Sequence, residues 1–249
     1  MEDYSGKNVF ILGGTGTIGF ESAKMFCKKG ARLTIHAGHD RSKLKKCLSE
    51  LKLLTNQKVE GILEDFDGNA ENFISRIEEG KVYRAAKKAD ILCLCLGPFL
   101  QKKIIDMENT EWENVSRLNY ILPAILIKAA LPNMIKNHFG RIVAFGGKET
   151  DSVRGFYTNA AYGAAKTALC SLIKSVALQH SADGINSNAI LPGQVESDDL
   201  TEEKKAEYLA KKNLVRFVTA KEIVQTIEFF ADNQSVTGVC INIDAGWKI

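Results

Sequence analysis

Tyr162 and Lys166, in the run Tyr162-Gly-Ala-Ala-Lys166, set a phenol and an ammonium four residues apart in a segment that reads as helix. Positions i and i+4 share a helix face, so both polar tips reach one cleft. A phenol ordinarily loses its proton near pH ~10, and a neighbouring ammonium favours the phenolate. The pair therefore predicts a tyrosine that gives or takes a proton near neutral pH. Tyr-x-x-x-Lys is common by chance, so its meaning depends on what surrounds it.

A second constellation lies near the N-terminus. Val9-Phe-Ile-Leu-Gly13-Gly-Thr15-Gly16-Thr17-Ile18-Gly19 reads as a strand, a glycine-rich turn and a helix start. Glycines allow unusual dihedrals and close backbone approach. The N–H groups and dipole at the following helix terminus suit a pyrophosphate. At the head of an alternating α/β chain this pattern predicts a dinucleotide site. The second strand ends in Ile35-His-Ala-Gly38-His39-Asp40-Arg41. An acid at such a strand tip binds the ribose of NAD, whereas a basic residue suits the 2′-phosphate of NADP. The tip lacks an acid, Asp40 lies slightly beyond it, and His39 and Arg41 are available to a phosphate. NADP(H) is favoured over NAD(H).

The elements that must position these groups follow from periodicity. Strands are expected over Asn8–Gly13, Arg32–His36, Val59–Asp65, Asp90–Leu96, Arg141–Phe145, Ile185–Ile190 and Gly238–Ile243. Between them lie helices over Ile18–Lys29, Ser42–Leu54, Asn69–Glu79, Asp106–Asn137, Ala160–His180 and Lys221–Ala231, with Pro123 marking a kink or break. Such alternation argues for one Rossmann-type α/β domain over residues 1–249, a doubly wound parallel sheet with helices on both faces. The charged run at 197–212 reads either as a solvated surface helix or as a lid over a substrate. Apolar content of 45% is ample for a core, and a net charge of +3 is too small to imply nucleic acid. No apolar run approaches the ~20 residues of a membrane span. Six scattered cysteines without Cys-x-x-Cys spacing read as buried thiols rather than metal ligands, and the chain reads as cytoplasmic.

With these pieces in place, the chain resembles the short-chain dehydrogenase/reductase family over Lys7 to Trp247. Beyond the glycine turn and the Tyr162/Lys166 pair, four further segments match in order. Glu64-Asp65-Phe66 is similar to the acidic turn whose aspartate contacts adenine. Trp112 to Asn119 is similar to the helix carrying the family's catalytic asparagine. Asn188 to Ser197, with Pro192, Gly193 and Val195, resembles the segment that holds the nicotinamide carboxamide. Val236 to Gly246 resembles the closing strand. The resemblance implies hydride transfer between a nicotinamide and a carbonyl or alcohol carbon of a small-molecule substrate. It implies that Tyr162 moves the proton, Lys166 binds the nicotinamide ribose and lowers the tyrosine pKa, and Asn119 helps hold a water linked to Lys166. It also implies a homo-oligomer built on the two long helices.

The pattern breaks in three places. The family's serine after the fifth strand is absent: the chain reads Gly146-Gly147, and the usual count back from Tyr162 reaches Glu149. Losing one such donor costs roughly 10²–10³ in rate. Thr150 and Ser152 are the nearest hydroxyls in the segment to replace it, and Lys148 and Arg154 would suit an anionic substrate. Leu94-Cys95-Leu96-Gly97 stands where the family has Asn-Asn-Ala-Gly, keeping only Gly97. Thr17 stands where the usual short form has glycine, which marks a divergent short member. The missing serine keeps two other readings open: a dehydratase or isomerase using the same cofactor, and a non-catalytic nucleotide sensor.

Overall fold

The computed structural model describes residues 3–66, 71–197, 200–211 and 216–246. Asn69, Ala70, Asp198, Asp199, Lys212 and Trp247, which fall within ranges read from the sequence, lie outside the described residues. Seven strands form one sheet: β1 (Asn8–Leu12), β2 (Arg32–Ala37), β3 (Val59–Leu63), β4 (Ile91–Leu94), β5 (Gly140–Phe145), β6 (Ile185–Pro192) and β7 (Cys240–Ile243). Their order is β3-β2-β1-β4-β5-β6-β7, and every neighbouring pair is parallel.

Parallel strands need crossovers, and those helices cover both sheet faces. Alternate residues of β1 show this: Phe10 and Leu12 enter one apolar cluster, Val9 and Ile11 the other. The second cluster is completed by α1 (Thr17–Lys28), α2 (Arg41–Lys52) and α9 (Ala220–Asp232), through Phe26, Leu44, Leu51 and Ile227. The first is completed by α3 (Phe73–Glu79), α4 (Lys81–Ala86), α6 (Leu122–Lys136) and α7 (Ala160–His180). The helix α4 was not expected; the Glu64 carboxylate nucleates it by accepting from the backbone N–H groups of Lys81 and Val82 at 2.9 and 3.1 Å.

The long helix expected over Asp106–Asn137 is instead α5 (Asn109–Ser116), a π-helical turn (Arg117–Ile121) and α6. Pro123 explains the irregularity. It has no N–H for the carbonyl of Asn119 four residues back, and its ring crowds that carbonyl. The ladder slips by one residue, and Leu122 N–H donates to Arg117 O instead. The combined helical run Asn109–Lys136 has the length and hydropathy of a membrane span. Its apolar residues Leu118, Leu122, Leu126 and Met134 are packed into the core beside the sheet. The charged segment after β6 contains α8 (Glu202–Lys211), where Lys205 pairs with Glu196 and Glu202 at 3.2 and 2.8 Å.

Candidate active site

The strand order reverses between β1 and β4, and ligands of open α/β sheets sit in the crevice beyond the strand ends at such a point. A cleft of about 390 Å³ lies there, lined among others by Gly13, Thr15, Gly16, Lys43, Gly97 and Leu118. Gly13 has φ +75°, and a Cβ on it would lie 3.0 Å from the Cys95 carbonyl carbon across the switch point. A Cβ on Gly19 would overlap the Gly13 carbonyl oxygen. The two glycines let α1 start tightly against the turn, with Gly16 as a cap whose N–H neighbours have no side-chain acceptor. Thr17 and Ile18 begin that helix.

His36 braces the turn from β2, a role not read from the sequence. Its Nδ1 accepts from Gly13 N–H at 3.2 Å and its Nε2 lies 2.7 Å from Glu64 O. That geometry requires a neutral ring protonated on Nε2, and burial lowers its pKa accordingly. The ring packs against Phe66 at 5.3 Å. Beyond the strand tip, Asp40 is used as the cap of α2, accepting from Lys43 N–H at 2.8 Å. His39 and Asp65 are exposed at the rim with 3.9 Å between His39 Nδ1 and the Asp65 carboxylate. Arg41 opens α2 on its exposed side, and Lys43, two residues on, is the basic residue that lines the cleft. Lys43 was legible only as one of many lysines on an amphipathic helix.

Two polar residues meet at Gly97 on the wall of the cleft, and a third stands one helical turn from them. Tyr162 and Lys166 lie one turn apart on α7, and Asn119 projects from the π turn. A Cβ on Gly97 would overlap Asn119 Oδ1 and lie 2.7 Å from Lys166 Nζ, so only glycine leaves the two groups facing one another. Asn119 Nδ2 donates to Val115 O and Pro98 O, both at 3.0 Å. Its buried Oδ1 has no hydrogen-bond partner among the described residues. This open acceptor beside an ammonium is what a proton relay or a ribose hydroxyl fits.

The electrostatics differ from the expectation that Lys166 lowers the Tyr162 pKa. Burial pushes the phenol up to about 12, with the Cys170 sulfur adding to the rise. Burial pulls the Lys166 ammonium down to about 8. Lys166 Nζ donates to Phe145 O at 2.7 Å and sits 5.7 Å from the centre of the tyrosine ring. Desolvation governs the tyrosine, and the ammonium donates to a carbonyl rather than to the phenol. Phe99 packs edge-on against Tyr162 at 5.0 Å.

Gly147 faces the tyrosine where a serine was expected. A Cβ there would lie 2.8 Å from Tyr162 Cε1 and 3.3 Å from its hydroxyl oxygen. Thr150 is buried close by, yet its hydroxyl accepts from Gly147 N–H at 3.0 Å and donates to Gly147 O at 2.9 Å. It therefore closes the turn rather than presenting itself to a substrate. Glu149 holds a positive φ of 59° and pairs with Arg154. Ser152 is solvent-exposed. On the far side, Pro192 ends β6, and a Cβ on Gly193 would lie 2.7 Å from Asp244 Cα. Val195 bridges to Val218, and Ser197 is half-buried after it.

Comparison with known proteins bears on the family and the fold. The family described as short chain dehydrogenase matches residues 7–208. Dehydrogenase/reductase SDR family member 6 of Danio rerio is 26% identical over 267 aligned positions, covering all of both chains. A 3-oxoacyl-[acyl-carrier-protein] reductase of Rickettsia bellii is 29% identical, covering 99% of this chain and 98% of that one. Among solved structures, a blue fluorescent protein from a metagenomic library in complex with NADPH superposes with a TM-score of 0.83 at 23% identity, over the whole of both chains. Because the sequence match runs from the first strand through the helix of Tyr162 and Lys166 and beyond, the chain belongs to the short-chain dehydrogenase/reductase family of NAD(P)-dependent oxidoreductases.

Proposed function

We propose that the protein is an NADP(H)-preferring carbonyl reductase or alcohol dehydrogenase for a small-molecule substrate, acting as one cofactor-binding domain over residues 1–249. The observation that carries this is the open Asn119 Oδ1 facing Lys166 at Gly97, one helical turn from Tyr162 and beside a glycine-cradled cleft. A protein that only bound the nucleotide would have no use for such a group. The cradle at Gly13 and Gly19 and the start of α1, with Thr15, Gly16, Thr17 and Ile18, would hold the pyrophosphate. Asp65 and Phe66 would flank the adenine. Pro192, Gly193, Val195 and Ser197 would hold the nicotinamide end. Three observations support NADP(H): Ala37 rather than an acid ends β2, Asp40 is committed to capping α2, and Lys43 joins His39 and Arg41 at the rim. The NADPH bound by the metagenomic structural relative is in keeping with this.

NADP(H), when bound, supplies or accepts the hydride. The chain's own residues handle the proton and the geometry. The Tyr162 hydroxyl, protonated at neutral pH, donates to the carbonyl oxygen of the substrate during reduction. Lys166 and Asn119 Oδ1 form the route by which that proton is replaced, and Lys166 would also hold the ribose. Thr150 fixes the Gly147 turn opposite the tyrosine. Ser152, the other hydroxyl considered in place of the serine, enters only if the segment rearranges on substrate binding. The segment 197–212 is carried as a lid. A homo-oligomer through α5–α6 and α7, and a cytoplasmic location in keeping with six free cysteines, belong to the same proposal.

The test is Tyr162→Phe assayed against a carbonyl panel with NADPH. A loss of turnover of at least about 10² with NADPH binding intact is expected. Gly147 in place of a hydroxyl donor favours a second reading, a dehydratase or isomerase on the same cofactor. Retained chemistry in Tyr162→Phe, or NADPH binding with no carbonyl turned over by wild type, would replace the first reading.

A further inference from the structure

Phe99, two residues beyond Gly97, is a large apolar side chain left 60% exposed, and its ring stands edge-on to that of Tyr162, 5.0 Å between centres and 83° between planes. The proton-transfer chemistry makes no use of it. Single exposed apolar residues are ordinary on a protein surface; Phe99 differs in being fixed against the reacting phenol. The segment that carries it is pinned. Gln101 Nε2 donates to Thr158 Oγ1 at 3.0 Å, and Lys102 bridges Asn159 in parallel. Lys103 lies over the Tyr157 ring, 5.8 Å from its centre. The segment so reached is itself seated on α7 by Phe156, whose ring fills the space a Cβ on Gly163 would take. These two joined segments also expose Ile104, Ile105, Val153 and Tyr157. Their cations Lys102 and Arg154 are paired with Glu111 and Glu149, so apolar contact rather than charge marks this side of the tyrosine.

We propose that Phe99 is the specificity-determining residue of the site, and that its substrates are ketones carrying an aromatic ring beside the carbonyl. The inference rests on the reading that Tyr162 serves a carbonyl reductase. A carbonyl oxygen placed at the Tyr162 hydroxyl brings the adjoining substituent within reach of the Phe99 ring. Aromatic rings gain most from edge-to-face or offset contact with another ring, and the exposed side of Phe99 offers that contact. A phenyl group there removes apolar surface from water on both partners, whereas a methyl group removes little. The missing serine narrows the class further. The Thr150 hydroxyl is committed to Gly147, so it is not a second donor for the developing oxyanion. Ketones already made electron-poor by a neighbouring carbonyl or ring need that donor least.

The experiment compares 1-phenyl-1,2-propanedione with 2,3-butanedione, activated diketones that differ in a phenyl for a methyl. NADPH oxidation is followed with wild type, Phe99→Ala and Phe99→Leu. Each dione takes a hydride from NADPH and a proton from Tyr162 and leaves as a hydroxyketone. The readout is the ratio of kcat/KM for the two substrates, from which any general disturbance of Tyr162 cancels. The ratio is expected to favour the phenyl dione in wild type, to fall about tenfold in Phe99→Ala through KM, and to lie between the two in Phe99→Leu. A ratio unchanged by Phe99→Ala overturns the proposal and leaves the carbonyl reductase standing. A wild type that favours butanedione, or that turns over aliphatic carbonyls and not the phenyl dione, does the same. NADPH binding with turnover of no carbonyl at all overturns both.

Discussion

Lys166 shows how one residue's surroundings change its chemistry. Its ammonium is held at about 8 against an ordinary 10.5 because the fold takes it out of water. Between those two values the unfolded chain keeps a proton that the folded chain has released, so this group makes stability rise with pH across the window. Measured against Lys166→Met, wild type is therefore expected to gain up to about 3 kcal/mol as pH climbs from below 8 toward 10.5. Urea titrations of both proteins at the two ends of the window read this directly, and a pH-independent difference would show that the lysine is solvated. Lys43 carries a separate expectation. Lys43→Ala should weaken NADPH about tenfold, about 1.4 kcal/mol, and leave NADH unchanged. Equal weakening of both cofactors would remove the 2′-phosphate from its role. Residue types and spacing singled out Tyr162, Lys166 and Asn119 as candidates. They did not reveal that Lys166 turns its Nζ to Phe145 O, or that Lys43 rather than Arg41 lines the cleft, because both depend on where neighbouring backbone lies.

At the scale of elements, the π turn connects a sequence feature to the site. Pro123 was legible as a break, and the break falls on the turn that carries Asn119. Restoring the N–H with Pro123→Ala lets residue 123 donate to Asn119 O, relaxing the turn toward α-helix and rotating the Asn119 side chain off Gly97. Turnover is expected to fall about tenfold or more while the far-ultraviolet circular dichroism is unchanged, since one helical bond replaces another. Unaltered kinetics would mean that the turn is held by packing of Leu118 and Leu122 rather than by the proline. The loop after β5 was harder to read. Its glycines and Thr150 were visible, but the backbone bonds of the Thr150 hydroxyl require the positive φ at Glu149 to be known, and a non-glycine residue gives little notice of it.

Over the whole molecule, the alternation of apolar strands and amphipathic helices was enough to set the class, because parallel strands buried on both faces read as continuous apolar runs. The expected strands agree with the observed ones to within a few residues, from Asn8 through Ile243. The glycine spacing of the first turn and the ordered motifs that follow it were likewise present in the chain itself, since steric demands on glycine and the i+4 geometry of a helix are local. What tertiary structure alone decided is which groups meet across the sheet. β1 and β4 come together at the switch point only through the crossover, which brings Gly13 against Cys95 and Gly97 against both Asn119 and Lys166. The same long-range packing buries Tyr162 enough for desolvation to reverse the pKa shift expected from its lysine.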